Sequence, residues 1–251
     1  MTQAYRERPP GTPLFPWVES GWCMQSDEAV TGHRVPPDGC VDIVYDRGSN
    51  NGGTLRAIGA MTIQQRFDYP KDAFIAGVRF RPGMAGSFLG VRPVELTDGS
   101  TALEDLWSRR ARELKRQLDD ANSIQDAVEI LLGNLPVPEA HPTPTQRAIE
   151  ALAAANGSAD LEAAARQANL SQRQFRRRCL EESGLTPKHL CRVLRFRHAC
   201  RMAGRVDRVN WSEIALEAEY FDQAHLIRDF RQFTGHTPMA VFSNTRGRRA
   251  G

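Results

Sequence analysis

The chain has 251 residues, of which 41% are hydrophobic and 25% are charged, with 33 Lys and Arg against 30 Asp and Glu. This composition suits a globular protein of two compact domains and excludes a fibrous or disordered chain. No apolar run approaches the ~20 residues that cross a bilayer, and the first residues do not resemble a signal peptide. We therefore expect a cytoplasmic protein without a membrane segment.

The five cysteines are scattered along the chain and include no C-x-x-C pair, which predicts reduced thiols rather than a disulfide framework. Cys23 and Cys40, together with His33 and Asp42, suggest a metal or thiol-sensor site. Their spacing fits no zinc pattern, and cysteines in β-domains are usually small core residues. We expect no metal and no cofactor.

Up to about residue 100, the sequence consists of short β-type runs separated by Gly, Pro and Asn. Cys40–Tyr45 alternates in polarity after a Pro-Pro-Asp-Gly turn. Phe74–Phe80 forms another run, after which Pro82 and Gly83 introduce a short helix towards Leu89. These patterns predict a small, β-rich, barrel-like N-terminal domain that is partly closed.

Two helices are predicted to follow this β-rich region. Apolar residues from Leu103 to Ala121 mark one face of the first helix, and Ser123 is the predicted N-cap of the second. These helices either only cover the N-terminal core or also pair with a second copy of the chain, and both alternatives stay open. Leu135–Pro144 carries four prolines in ten residues, which predicts a stiff, extended linker.

The formal net charge of +3 is divided unevenly along the chain. Residues 143–251 hold 18 Lys and Arg against 11 Asp and Glu, whereas residues 1–142 hold 15 against 19. A basic excess concentrated in one part of the chain is what binding to a polyanion requires.

One pattern occurs twice in this basic part, 51 residues apart. The copies run from Leu161 to Pro187 and from Ser212 to Pro238, and both end in G-x-T-P. At this offset Ala164 aligns with Ala215, a small residue that lets two helices cross closely. Each copy predicts a short helix, a tight turn and a longer helix ended by Gly. Two such helix-turn-helix units in tandem predict recognition of adjacent major-groove segments of DNA.

Helix-start signals agree with this pattern. Thr143 opens a capping box with proline at the first helical position, and the Asn-Gly pair at 156–157 ends that helix. Ser158 is the predicted N-cap of the next helix. Ser171 opens a second capping box and is the predicted N-cap of the first recognition helix, at about 171–183.

The first recognition helix is predicted to bury Phe175, Cys179 and Leu180 and to expose its polar residues. In the major groove, Arg can hold guanine and Gln can hold adenine in bidentate fashion. The predicted base contacts of this helix are Arg173, Gln174, Arg176 and Arg177.

Asp222 is the predicted N-cap of the second recognition helix, at about 222–234. This helix is less basic and has Asp229 nearby, so we expect it to contribute less affinity, with Ala224 contacting a thymine methyl group. Its predicted base contacts are Gln223, Ala224, His225 and Arg228.

A long helix from Pro187 to about Ala203 is predicted to join the two units and to set their spacing. Its arginines are expected to contact phosphate, although an internal ion pair is an equal alternative for each of them. The predicted phosphate contacts of the whole module are Ser171, Arg178, Thr186, Arg195, Arg197 and Thr237.

Two helix-turn-helix units on a central helix, with G-L-T-P at 184–187 and G-H-T-P at 235–238, resemble the AraC/XylS family of bacterial transcription regulators. The resemblance covers about residues 145–243 and departs from the family at Cys179, where Phe is usual. It implies double-stranded DNA as the partner, and RNA polymerase as well if the protein is an activator.

The N-terminal stretches 33–45, 58–62 and 77–83 are similar to a domain often found ahead of this module. The resemblance implies that this domain dimerises or senses a small-molecule effector. Arg79 and Arg81 would share a face if their strand continued through 81, and they could then clamp an anionic group, whereas the alternative is surface ion pairing. The candidate effector-binding residues are Trp22, His33, Asp42, Tyr45, Arg79 and Arg81.

The sequence therefore predicts an α+β protein in four parts: a sensing or dimerisation domain (1–135), a linker (136–144), a double helix-turn-helix domain (145–243) and a basic disordered tail (244–251). We expect a sequence-specific transcription regulator and not an enzyme, since no catalytic motif is evident. Two alternatives stay open. One is a nucleoid-type or RNA-associated protein that binds without sequence preference. The other is a DNA-binding protein whose N-terminal domain is only a protein-interaction platform.

Overall fold

The computed structural model describes residues 4–48, 53–206 and 208–247. Strands occupy the first part of the chain and helices the second, so the predicted α+β class is confirmed. None of the helices in the described part is long and apolar enough to span a lipid bilayer. The predicted tail falls partly on the last turn of the final helix and, from 248 onwards, outside the described residues.

The strands of the described residues belong to one large sheet and one separate ribbon. They are β1 (Ala4–Arg8), β2 (Val18–Ser26), β3 (Val30–Val35), β4 (Asp42–Asp46), β5 (Thr54–Ile58), β6 (Gln65–Tyr69), β7 (Ala73–Phe80) and β8 (Ser100–Ala102). The antiparallel sheet has the order β1-β2-β7-β4-β5-β8, whereas β3 and β6 pair only with each other. The barrel-like expectation was wrong. The sheet is open because the β3-β6 ribbon does not bridge its edge strands, β1 and β8.

The helices follow the sheet in chain order. They are α1 (Gly86–Leu89), α2 (Leu103–Trp107), α3 (Arg109–Asp119), α4 (Ile124–Gly133), α5 (Pro144–Ala154), α6 (Leu161–Gln167), α7 (Gln172–Ser183), α8 (Pro187–Ala203), α9 (Trp211–Glu217), α10 (Gln223–Thr234) and α11 (Pro238–Gly247). The predicted helix from Leu103 to Ala121 is divided into α2 and α3 because Ser108 adopts a positive φ of 48°. The predicted cap is confirmed at Ser123, whose side chain accepts the N–H of Asp126.

Helix α4 covers one face of the sheet at close range. It packs against β2 where Gly21 has no side chain, and a Cβ there would lie 2.6 Å from Cγ1 of Val128. The other face carries a small apolar cluster of Met24, Ala73 and Ile75. The two faces therefore differ, since one belongs to the main core and the other forms a separate cluster.

The helix starts of the C-terminal part follow the predicted caps with one exception. Thr143 and Ser171 both form complete capping boxes. The prediction for Ser158 was wrong, because the N-cap of α6 is Asp160, whose carboxylate accepts the N–H of Glu162. Ser158 belongs to the preceding turn, where its hydroxyl donates to the carbonyl of Ala155.

The two helix-turn-helix units do not align at one constant offset. The N-caps Asp160 and Asn210 of their first helices are 50 residues apart, whereas the N-caps Ser171 and Asp222 of their second helices are 51 apart. The alignment of Ala164 with Ala215 was therefore wrong by one residue. The turn of the second unit contains one additional residue, Phe221, which directly precedes Asp222.

The N-terminal and C-terminal parts share one continuous hydrophobic core. A Cβ on Gly39 would lie 2.9 Å from Leu190 of α8, and one on Gly83 would lie 3.0 Å from Ile149 of α5. The side-chain amide of Gln146 donates to the carbonyl of Gly83. The sheet domain is thus packed directly against the helices that carry the tandem repeat.

Candidate DNA-binding interface

Helix α7 exposes a cluster of arginines and buries two of its three predicted apolar residues. Phe175 and Cys179 are 1% and 0% exposed, whereas Leu180 is half-buried. Burial raises the pKa of the Cys179 thiol to about 12. This thiol is thus a neutral packing group in place of the usual Phe. The arginines on the exposed surface of the helix are Arg173, Arg176, Arg177 and Arg178.

Gln174 has a second role that restricts its predicted contact with adenine. Its Oε1 accepts the N–H and the hydroxyl of Ser171 at 2.9 and 2.8 Å, which completes the capping box. A bidentate contact with adenine needs both the amide oxygen and the amide nitrogen. A contact of Gln174 with adenine would therefore compete with its hydrogen bonds to Ser171 in the capping box.

The N-terminal turn of α10 is also fixed by local hydrogen bonds. The Asp222 carboxylate accepts the N–H of His225, and the Ser212 hydroxyl donates to Oε1 of Gln223 at 3.0 Å. Ala224 is exposed, whereas His225 is half-buried with its ring 5.2 Å from that of Tyr220. Further along this helix, Arg228 is exposed.

Asp229, predicted to lie near the recognition surface of α10, is buried instead. Asp229 is 1% exposed, and its Oδ1 lies 2.5 Å from Nη2 of Arg192 on α8. The charge is therefore neutralised inside the domain. This ion pair joins the second recognition helix to the spacer helix.

The predicted phosphate contacts fall into three groups. Arg178 is exposed on α7, as a phosphate contact requires. The hydroxyls of Ser171, Thr186 and Thr237 accept backbone N–H groups near helix starts, which places them beside the helix N-termini that favour anions. Arg195 is half-buried with its guanidinium 5.6 Å from the centre of the Tyr220 ring.

Arg197 forms an internal ion pair, which was the alternative to its predicted phosphate contact. Its guanidinium is paired with Glu19 of β2 and also donates to Sγ of Cys40 at 3.8 Å. Burial raises the pKa of Glu19, but the hydrogen bond and charge of Arg197 outweigh it, so that the net pKa is lowered. The spacer helix is thereby tied to the N-terminal sheet.

Two N-terminal loops hold the C-terminal ends of both recognition helices. The Thr97 hydroxyl donates to the carbonyl of Gly184, which ends α7, at 3.0 Å. The N–H of Gln64 donates to the carbonyl of Phe233, near the end of α10, at 2.7 Å. The N-terminal domain thus contacts each unit opposite the end that carries the predicted base contacts.

A matched pair of glycines tests this docking. Gly184 and Gly235 both end their helices with a positive φ, 78° and 74°. A Cβ at 184 would lie 2.7 Å from Oγ1 of Thr97, whereas one at 235 would meet nothing within 4 Å. We expect Gly235→Ala to cost about 1 kcal/mol of backbone strain, and Gly184→Ala about 1 kcal/mol more. Urea unfolding of both variants measures the difference, and equal losses would contradict the docked arrangement.

The predicted effector residues are only partly brought together. Trp22, Asp42 and Arg79 lie on the sheet face opposite α4, where the indole N–H donates to Oδ1 of Asp42 at 3.4 Å. Arg79 Nε lies 3.3 Å from the same oxygen and 3.2 Å from the carboxylate of Asp38. Burial raises the pKa of Asp42 to about 6, although Arg79 lowers it. Because Arg79 is already paired with carboxylates, it is a poor clamp for an anion.

The other effector candidates lie elsewhere. Tyr45 is fully buried on the opposite face of the sheet, where its hydroxyl donates to Asp119. Strand β7 ends at Phe80, so Arg81 does not continue the face of Arg79 and instead lines a cleft of about 190 Å³ between the two parts of the chain. His33 lies on the β3-β6 ribbon with its ring 5.5 Å from that of Tyr69. The predicted pair of arginines is therefore not assembled.

Two family models match this sequence. Residues 6–102 match a family described as a domain of unknown function (DUF6597). Residues 164–244 match a family described as a helix-turn-helix domain, and this match includes both recognition helices. The C-terminal domain is an AraC-type helix-turn-helix domain. Domains of this type belong to DNA-binding transcription regulators, and the predicted resemblance is confirmed.

Solved structures similar to the chain include two regulators. The DNA-binding domain of AdpA, a global transcriptional factor crystallised with a target DNA, is 24% identical over 43% of this chain and 99% of that chain, with a TM-score of 0.40. An apo variant of ToxT from Vibrio cholerae is 12% identical over 93% of this chain and 98% of that chain, with a TM-score of 0.45. ToxT from the same organism with an unsaturated fatty acid bound is 9% identical over 93% and 96%, with a TM-score of 0.41. A search of the curated proteins returns no match.

Sequence reasoning missed the main contacts between the AraC-type domain and the sheet. Glu19, Gln64 and Thr97 were not identified, because each is an ordinary polar residue whose partner is distant in sequence. Within the described ranges, no group of three or more His, Cys, Asp or Glu side chains could hold a metal ion.

Proposed function

We propose that this protein is a sequence-specific transcription regulator whose helices α7 and α10 contact two successive major-groove segments of one DNA site. The observation that carries the proposal is the pair of capped recognition helices attached to one rigid spacer, α8. Successive major-groove segments on one side of B-DNA are about 34 Å apart, so a fixed spacer favours one register over others. A site of roughly 20 base pairs follows from two such segments.

The surface chemistry of α7 favours sequence-specific over non-specific binding. Its exposed positive groups are all arginines, and the planar guanidinium can contact a guanine edge in bidentate geometry. Binding to phosphate alone needs only positive charge. Arg173, Arg176 and Arg177 are our proposed base contacts on α7, with Arg178 as a phosphate contact.

The second recognition helix has a smaller role in this proposal. Gln223, Ala224, His225 and Arg228 lie on its first two turns, of which only Arg228 carries a permanent charge. We assign them the base contacts of the second segment, with less affinity than α7 provides. The helix starts at Ser171, Thr186 and Thr237 position the module on phosphates.

The N-terminal domain controls the DNA-binding domain in this proposal, with residues 1–135 as the control part and 136–144 as the linker. The support is the contact of Thr97 and Gln64 with the ends of both recognition helices. A small molecule that moves these loops would change the relative orientation of α7 and α10. Homodimer formation through the N-terminal domain and contact with RNA polymerase, as for an activator, belong to the same proposal. Because its partner is chromosomal DNA, the protein would act in the cytoplasm.

Selection of binding sites by the full-length chain from a random duplex library tests the proposal. We expect enrichment of two sequence blocks about one helical turn apart at ~150 mM salt, where non-specific phosphate binding is weak. The double variant Arg173→Ala, Arg177→Ala serves as the control and should lose the block that α7 contacts. A wild-type chain that binds duplexes without enriching any sequence would instead support a nucleoid-type protein.

A further inference from the structure

Phe221 is the most exposed large hydrophobic residue in the described part of the chain, at 93%. It is the additional residue in the turn of the second unit and directly precedes the N-cap Asp222 of α10. Tyr220, the residue before it, is 4% exposed and packs into the core. Of these two adjacent aromatic residues, Tyr220 therefore packs in the core and Phe221 lies in solvent.

The turn of the first unit has no residue that corresponds to Phe221. Leu170 precedes the N-cap Ser171 of α7 and is partly buried against the core. An apolar residue just before an N-cap commonly packs against the first turns of its helix and fixes the entry of the chain. In the second unit the counterpart of Leu170 is the buried Tyr220, because the N–H of Leu170 donates to the carbonyl of Ala165 and that of Tyr220 to the carbonyl of Ala215. Phe221 is inserted between Tyr220 and the N-cap, and its side chain is almost fully exposed. Its side chain therefore adds little packing to the described part of the domain.

Other exposed side chains lie near Phe221 at the start of α10. Ala224, one turn along α10, is also exposed, and Gln223 lies between them with its Oε1 held by Ser212. The start of α10 thus exposes two apolar side chains and one amide. In the major groove, thymine is the base that presents an apolar group, its C5-methyl.

We propose that Phe221 is a specificity-determining residue of the second unit whose ring packs on the C5-methyl group of a thymine. The inference rests on the proposed function, because it places the start of α10 at the major groove. It assigns to the second recognition helix a preference that Arg228, the exposed arginine on its first two turns, does not provide. Ala224 is predicted to contact a thymine methyl group. Phe221 would add a larger apolar contact, on the same DNA strand or on the adjacent base pair.

Removal of single methyl groups from the DNA tests this inference. The probe is the duplex enriched from the random library, with each thymine of the block contacted by α10 replaced in turn by deoxyuridine, which lacks only the C5-methyl. For the full-length wild-type chain, we expect about fourfold weaker binding at the contacted position, the change that corresponds to the ~0.8 kcal/mol of one buried methylene. Fluorescence anisotropy at fixed salt measures both duplexes.

The variants make the measurement specific to Phe221. Phe221→Ala should bind the thymine duplex more weakly and should no longer distinguish thymine from deoxyuridine at that position, whereas Phe221→Leu should retain part of the discrimination. Leu216→Ala is the matched control, since Leu216 is a 77% exposed apolar residue on α9 of the same unit. It should leave the ratio of the two affinities unchanged.

The outcomes separate this inference from the proposed function. If the chain enriches a motif but Phe221→Ala loses affinity equally on both duplexes, the ring contacts sugar or backbone and the inference is overturned. It is overturned as well if the α10 block contains no thymine. A chain that enriches no sequence would overturn the proposed function and this inference with it. Because Phe221 is exposed, its variants should unfold at the same urea concentration as the wild type.

Discussion

Replacement of Gly157 by alanine is expected to lower the free energy of unfolding by about 3–5 kcal/mol, because it combines backbone strain with a steric clash. Gly157 has a φ of 78° in the turn between α5 and α6. A Cβ there would lie 2.1 Å from the carbonyl oxygen of Cys191 on α8, which is backbone and cannot rotate away. The turn would have to move off the spacer helix.

Gly90→Ala is the matched control for this substitution. Gly90 ends α1 with a φ of 72°, and a Cβ there would meet nothing within 4 Å. We expect a loss of only about 1 kcal/mol, which is the strain of a left-handed alanine. Urea unfolding with a constant m-value measures both variants. Similar losses for Gly157→Ala and Gly90→Ala would show that the α5-α6 turn is not packed against α8.

Arg177→Ala is expected to weaken binding to the selected DNA site by about 1–3 kcal/mol and to relax the preference at one base position. Arg177 is exposed on α7, and its only described ion pair is a long one, 3.9 Å to Glu181 of the same helix. The fold therefore does not need this side chain. Anisotropy titrations against the selected duplex and against duplexes with single base changes measure affinity and specificity together.

Arg112→Ala controls for the loss of one positive charge. Arg112 lies on α3, is 63% exposed and pairs with Glu104, far in sequence from the recognition helices. It should leave affinity and specificity nearly unchanged. If Arg177→Ala instead weakens binding to every duplex equally and lowers the slope of log K against log salt by about one unit, Arg177 is a phosphate contact and not a base contact.

Local signals account for the features that could be predicted from the sequence. The capping boxes at Thr143 and Ser171 and the cap at Asp222 need residues only three positions apart, so they are visible in the sequence itself. The exposed arginines of α7 could also be predicted, because the pattern that indicates them lies within one helix. These elements define the candidate interface with DNA.

The features that were missed or wrong depend on distant parts of the chain. The open sheet depends on which strands pair, and Arg197 was assigned to phosphate because its partner Glu19 lies 178 residues away. The one-residue shift between the repeats was hidden in α6, where consecutive alanines fit either alignment. Its physical signature is that Ala164 and Ala165 are buried where the second unit buries Ile214 and Ala215.

Because the two parts of the chain share one core, a fragment that contains only the C-terminal part would expose apolar side chains. Leu190 and Ile149 are fully buried, and Gly39 and Gly83 of the sheet domain lie directly against them. A fragment that begins after the proline-rich segment would leave both side chains facing water, together with an unpaired Arg197. Aggregation of such a fragment would therefore reflect its exposed apolar surface and would say nothing about its capacity to bind DNA.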